Sequence, residues 1–243
     1  MKNYKIVIEY DGSEFYGWQV QPDKQTIQGR IQEVIKQITS EEVVLHGSGR
    51  TDSGVHAKGQ VANFNIVKEI EQKSFLRSLN ALLRPCIKIA TIKKMNFDFH
   101  ARFSAVSRLY NYNISQDYFP LDRKKFWYVG SKVNKDLLDE CASIVIGEHD
   151  FSSFSKRNPD IENKKCIVME SFWEYDHDIL RYYIRSNRFI QHMVRFLVGS
   201  MIEVSREKLT LDDFISILNN RSISASAYKA PANGLALEYV SYG

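Results

Sequence analysis

The strongest constraint on the fold of this chain is the order in which its two hydrophobic periods alternate. KNYKIVIEYDG puts Tyr4, Ile6, Ile8 and Tyr10 on one face of an extended segment, the period-two pattern of a strand. TIQGRIQEVIKQI then changes to helical spacing, with Ile27, Ile31, Val34, Ile35 and Ile38 behind Thr26 as N-cap. VVLHG and GQVANFNI read as two strands, SFLRSLNALLRP as a helix ended by Pro85, and CIKIATIKKM as a strand. The first 95 residues thus read β-α-β-β-α-β.

The rest of the chain repeats that order. SRLYNYNIS is a strand, and NKDLLDECASIVIG is a helix capped by Asn134 and stopped by Gly147. CIVMESFWEYD and ILRYYIRSN form a hairpin around His177 and Asp178, RFIQHMVRFLVGSMIEV is an amphipathic helix, and LALEYVSY is a strand. A smaller helix, LTLDDFISILNN, precedes that last strand. The expected class is α+β, two ferredoxin-like β-α-β-β-α-β halves with mainly antiparallel sheets joined across a central active-site cleft. The expected division is residues 1–105 and 106–243, with no linker-like tract between them.

Composition sets few limits. The chain has 243 residues, a formal net charge of +4 and no apolar run near the roughly 20 residues that span a bilayer. MKNYKIVIEYDG reads as a strand and not as a leader, so the expected location is the cytoplasm and no membrane is expected as a partner. Cys86, Cys141 and Cys166 lack the spacing of a metal site and read as buried reduced thiols, and the six histidines form no ligand cluster. The expectation is therefore no metal.

GSGRTDSGVHA, residues 47 to 57, spends three of the chain's 12 glycines around Arg-Thr-Asp. A Walker A reading fails because Val55 stands where lysine is needed, and a dinucleotide-binding reading fails because Asp52 occupies the third glycine slot. Two readings remain for Asp52. One is a turn-capping residue in a long hairpin loop. The other is a functional carboxylate, with Arg50 two residues away to hold it ionised and His56 and Lys58 making the surroundings basic.

Elsewhere, Arg108, Tyr110, Tyr112 and Ile114 share one face of a strand, and an arginine/tyrosine face can stack bases and contact phosphate. The commoner reading of a strand tyrosine is a half-buried packing group, and it stands beside the first for Tyr110 and Tyr112. In NRFIQHMVRFLVG, Arg188, His192 and Arg195 fall at i, i+4 and i+7 and are expected to share a helix face beside the apolar stripe of Met193, Phe196, Leu197 and Met201. Arg102 adds a cation in FHARFSAVSRLYNYNI. The runs at Arg123–Lys125 and Lys164–Lys165 read as exposed loop charge.

Taken together, YDGSEFYGWQVQ, GSGRTDSGVHAKGQVANF, ARFSAVSRLYNYNI, GEHDFSSF, NRFIQHMVRFLVGSMIEV and APANGLALEYVSY resemble the TruA-type tRNA pseudouridine synthases over nearly the whole chain. The resemblance implies isomerisation of uridine to pseudouridine in the tRNA anticodon stem-loop, at positions 38 to 40, by a homodimer without cofactor or metal. It implies that Asp52 is the catalytic aspartate, that Arg195 pairs with it, that Tyr110 stacks on the target uracil, that Arg50 helps extrude the base and that Leu235 lines the uracil pocket. His56, Lys58, Arg102 and Arg188 are the expected further RNA contacts. The same chemistry on a ribosomal RNA site is the alternative, followed by a non-catalytic RNA chaperone.

Overall fold

The computed structural model of the chain describes residues 1–130, 132–156, 163–219 and 228–243. The fold is α+β, with mostly antiparallel sheet and, among the described residues, five α-helices. The chain divides into two compact units, Met1–Val106 with Ala236–Gly243, and Ser107–Leu235.

The first unit contains β1 (Lys2–Tyr10), α1 (Ile27–Thr39), β2 (His46–Gly47), β3 (His56–Ile66), α2 (Gln72–Leu83) and β4 (Ile87–Met95). β1 lies between β3 and β4, antiparallel to both, and β2 pairs with β3. The chain's last strand, β10 (Leu235–Tyr242), runs parallel to β3 through Ala236 opposite His56 and Leu237 opposite Ala57. The period-two face of β1 is buried as its pattern requires: Tyr4, Ile6, Ile8 and Tyr10 are all nearly inaccessible. Tyr4 stacks on Phe64, and Phe64 meets Phe75 of α2, so this face carries the helices. Thr26 caps α1 by accepting from the Gly29 amide, and Glu71 caps α2 by accepting from Lys73 and Ser74.

The expected strand over residues 43–47 is reduced to His46–Gly47. The reason lies in α1: Gln32 Oε1 accepts from the Leu45 amide and Gln28 Nε2 donates to its carbonyl. Side chains thus satisfy the groups a ladder would use, while Val43 and Leu45 remain buried.

The second unit contains β5 (Ala105–Ser115), β6 (Trp127–Tyr128), α3 (Lys135–Ile144), β7 (Gly147–Asp150), β8 (Lys165–Asp176), β9 (Ile179–Ser186), α4 (Met193–Ser205) and α5 (Leu211–Asn219), with the first residues of β5 contributed by the other unit. The sheet runs β5-β9-β8-β7 with antiparallel neighbours, and β6 adds a short parallel pairing to β5. The hairpin turn at His177–Asp178 is as expected, with His177 at φ +52°. Leu180, Tyr182 and Ile184 of β9 are buried, as are Leu138 and Cys141 of α3 and Leu197, Val198, Met201 and Ile202 of α4, and α3 packs on α4 and β8. Asn134 caps α3 by accepting from Asp136 and Leu137. The segment KRNPDIENKKC, residues 156–166, reads from its polar, proline-containing sequence as loop; its residues 157–162 lie outside the described residues.

α4 begins later than its apolar pattern suggests. The Asn187 amide donates to Ile167 O, the Ile167 amide to Asn187 Oδ1, and Ser186 Oγ to Arg188 O, so residues 186–188 stay tied to β8 and their own turn. His192 then enters the helix at φ +68°. Arg188 and His192 therefore do not share a helix face with Arg195, because the strand-end hydrogen bonds capture the backbone that the helix would need.

Cys141 and Cys166 are buried as expected, whereas Cys86 is only half-buried. Burial pushes the Cys141 thiol up to about 12 and that of Cys166 to about 11. No helix among the described residues is long and apolar enough to cross a membrane.

Gly199 in α4 has the Tyr228 carbonyl oxygen 2.0 Å from where a Cβ would sit. Gly199→Ala is expected to destabilise the protein by about 1–3 kcal/mol through overpacking against backbone. Thermal denaturation followed by circular dichroism should show the midpoint lowered by several degrees.

Candidate functional site

In the first unit the chain between β2 and β3 forms a loop over residues 48–55 that carries Arg50 and Asp52. Its entry is fixed by Ser48, whose amide donates to Val61 O at 2.7 Å and whose hydroxyl donates to Gln60 Oε1 at 2.6 Å. Gln60 Nε2 in turn donates to Gly49 O at 3.0 Å. The centre is fixed by Thr51. Its carbonyl accepts from the Trp18 amide at 3.0 Å, and its hydroxyl bonds the Tyr10 hydroxyl at 2.7 Å. The exit is fixed by the Val55 amide donating to Asp52 O at 3.2 Å and by Ser53 Oγ donating to Phe15 O at 3.2 Å.

Beyond the turn bond from Val55 to Asp52, these partners of the loop come from residues 10–18 and from β3. Gly17, at φ +84°, lets that segment approach the loop closely: a Cβ there would stand 2.7 Å from Thr51 O and 3.1 Å from the Asp52 carbonyl carbon. Gly47 makes room for the Trp18 indole in the same way, at 2.6 Å. Burial raises the Tyr10 phenol far above its ordinary range, which keeps its proton in place for the bond to Thr51. Asp52 therefore sits half-buried between anchored neighbours, while Arg50 is exposed.

His56, the first residue of β3, is half-buried, with the Gly12 amide and a carboxylate oxygen of Asp11 each 3.2 Å from Nδ1. Lys58 is exposed and pairs with Glu238 Oε1 of β10 at 2.7 Å. Arg102 is exposed in the turn between β4 and β5. Of the residues singled out in the sequence, Arg50, Asp52 and His56 thus lie on or next to one loop. Arg102 belongs to a different turn of the same unit.

In the second unit, Tyr110 of β5 is almost wholly buried, its ring edge-on to Phe189 at 5.0 Å. Phe189 follows the exposed Arg188 in the turn before α4. Arg195 is half-buried within a helix that is otherwise mostly buried. Its Nε donates to Ala230 O at 2.8 Å, while its own backbone carbonyl accepts from the Ala230 amide at 3.0 Å. Tyr112 Oη donates to Pro231 O at 2.7 Å, and the Asn113 amide to Gly234 O at 2.8 Å. Gly234 is a close approach, since a Cβ would meet the Tyr112 ring at 2.5 Å. Burial drives the Tyr112 phenol well above its usual value, with the nearby positive charge of Arg195 acting against it.

One stretch of chain, residues 230–235, is consequently pinned to both α4 and β5. It orients the Arg195 guanidinium and delivers Leu235, nearly buried, to the start of β10. The sequence reading did not find Tyr10, Trp18 or Gln60 as the frame of the Asp52 loop, nor Tyr112 and residues 230–231 as the frame of Arg195. Their signals were present in YDGSEFYGW and APANG, where glycines flank aromatic or small residues, but a close approach between distant segments has no local periodicity. Among the described residues, no three histidine, cysteine or acidic side chains gather as a metal site would need.

Residues 6–104 and 141–243 match the protein family described as tRNA pseudouridine synthase. Relatives named tRNA pseudouridine synthase A cover this chain and their own over their full lengths. That of Chlorobium chlorochromatii is 37% identical, that of Dictyoglomus thermophilum 38% and that of Borreliella afzelii 36%. A chain from a solved structure titled "Crystal Structure of a Cbf5-Nop10-Gar1 Complex" aligns over 96% of this chain and 57% of its own at 11% identity and a TM-score of 0.36, too loose a likeness to argue from. With a match that spans both units and full-length relatives well above 30% identity, the chain belongs to the tRNA pseudouridine synthase family.

Proposed function

We propose that this protein isomerises uridine to pseudouridine in the anticodon stem-loop of tRNA, at positions 38 to 40, with Asp52 as the catalytic carboxylate. The observation that carries the proposal is the Asp52 loop itself, a single acid held between Thr51 and Val55 by backbone and buried side-chain bonds. A turn-capping aspartate needs no such frame; a carboxylate that must meet one atom of a substrate does.

The reaction is an isomerisation. The C1′–N1 bond breaks, the uracil turns, C1′–C5 forms, and the proton on C5 is lost while N1 gains one. No electron is transferred to another molecule, so one carboxylate suffices, whether it attacks C1′, attacks C6 or removes the 2′ proton. Each of these roles requires the ionised form, and Arg195 is the cation proposed to pair with it. The target base has to leave its stack at a cost of a few kcal/mol. Tyr110 is the proposed platform that offsets this cost, Arg50 the group that assists extrusion, and Leu235 part of the uracil pocket.

In this reading the two halves of the chain are ferredoxin-like domains that meet at a cleft around the extruded nucleotide, and the enzyme works in the cytoplasm as a homodimer without cofactor or metal. His56, Lys58, Arg102 and Arg188 contact the RNA. Lys58 has to exchange its Glu238 carboxylate for phosphate to do so.

Release of tritium from uridine labelled at C5 in undermodified tRNA tests the proposal. Asp52→Asn is expected to lower the rate by at least about a thousandfold while RNA affinity stays within about threefold of wild type. Full activity in Asp52→Asn, or a wild-type protein inactive on anticodon-stem uridines, contradicts it. Arg195→Lys keeps the charge but loses the Nε bond to Ala230 O, and is expected to lower kcat about a hundredfold. Tyr10→Phe removes the hydroxyl bond to Thr51 and, as a positioning change, should lower kcat about tenfold with a much smaller effect on KM.

A further inference from the structure

At the base of the Asp52 loop, His46 of β2 meets the turn that follows β4. The His46 and His100 rings are 4.9 Å apart, and the His100 and Phe103 rings 4.5 Å apart. The Arg102 guanidinium lies 5.6 Å from the Phe103 ring centroid. Phe103 is 77% exposed, and Arg102 is exposed beside it. Three rings in a row thus end at a solvent-facing phenylalanine with a cation next to it.

A lone exposed phenylalanine is ordinary on a protein surface. This one is held in place. His100 Nδ1 accepts from the Arg102 amide at 3.1 Å and the Phe103 amide at 3.4 Å, and its own backbone exchanges bonds with Ser104. Burial, the His46 ring and the Arg102 charge, in that order, all press the His100 imidazole toward its neutral form, the form in which Nδ1 accepts. Ala101, wholly buried, fixes the turn to the unit: its amide donates to Asn63 Oδ1 and its carbonyl accepts from Tyr242 Oη, both at 2.8 Å. Asn63 is bonded to Asn3, whose amide donates to Asn96 O and Phe99 O. A buried asparagine pair therefore braces the segment that presents Arg102 and Phe103.

A rigid aromatic face beside a guanidinium is the combination that single-stranded nucleic acid recognises, with the ring taking a base and the cation a phosphate. The groups that border Phe103 are the His100 imidazole and the Arg102 guanidinium, a polar and cationic surround that suits a base and its phosphate better than an apolar protein surface. We propose that Phe103, braced by His46 and His100, stacks an unpaired base of the RNA substrate while Arg102 contacts its phosphate, forming a second nucleotide subsite beside the Asp52 loop. The proposal rests on the RNA-modifying function above and assigns it a contact outside the reacting nucleotide.

The test measures the affinity of the full-length protein for undermodified tRNA by filter binding, with tritium release followed in parallel. Phe103→Ala is expected to weaken binding about tenfold, and Phe103→Trp to restore it to within about twofold, with added tryptophan emission that RNA quenches. Arg102→Ala is expected to weaken binding and to reduce the salt slope by about one. Wild-type affinity in both alanine variants overturns the subsite, whatever the activity. Loss of affinity in those variants, in a wild-type protein that releases no tritium, overturns the catalytic reading and leaves the subsite standing. A wild-type protein that binds no RNA overturns both.

Discussion

Thr51 accepts from the Trp18 amide through its carbonyl and bonds Tyr10 through its hydroxyl, and the placement of Asp52 depends on both contacts. Each hydrogen bond contributes on the order of 1 kcal/mol net, but a buried hydroxyl left without its partner costs about 1–3 kcal/mol, so the pair is hard to open. Gly17 is the steric condition for that contact, because any side chain there would strike Thr51 O and the Asp52 backbone. Residues 10–18 and residues 48–55 are thereby a single structural element assembled from two segments. The strand β1 sets one and the strand β3 sets the other.

The same principle operates in the second unit. Arg195 is presented by a helix, yet its guanidinium is aimed by a carbonyl 35 residues away, at Ala230. Tyr112 and Gly234 hold that distant segment close enough for the bond to form. In the second unit a charged side chain rises from a helix and is oriented by a backbone carbonyl of another segment; in the first, the backbone that carries Asp52 is held by groups of another segment. Such an arrangement limits side-chain freedom before any substrate arrives, which is where positioning contributes most to a rate.

Much of the architecture was legible because it follows from local rules. The alternation of Tyr4, Ile6, Ile8 and Tyr10, the cap at Asn134 and the turn at His177 are properties of neighbouring residues, and the structure has them where the periods put them. The misreadings share one cause. Residues 43–45 lost their strand to side-chain amides of Gln28 and Gln32, and the start of α4 is displaced to Met193 where Asn187 is bonded to Ile167. In each case a hydrogen-bond partner remote in sequence outbid the local pattern. The candidate site behaves likewise: Arg50, Asp52 and Arg195 stand out as residue types in suggestive company, whereas their frames, made of Tyr10, Trp18, Gln60 and Ala230, exist only once the chain has folded.

The most direct test of the account is a map of pseudouridines in the tRNA and ribosomal RNA of cells that lack this protein, complemented with the wild-type gene or with Asp52→Asn. The account predicts loss of pseudouridine at anticodon stem-loop positions 38 to 40, regained with the wild type and not with the variant. A map unchanged by the deletion, or one restored equally by Asp52→Asn, contradicts it.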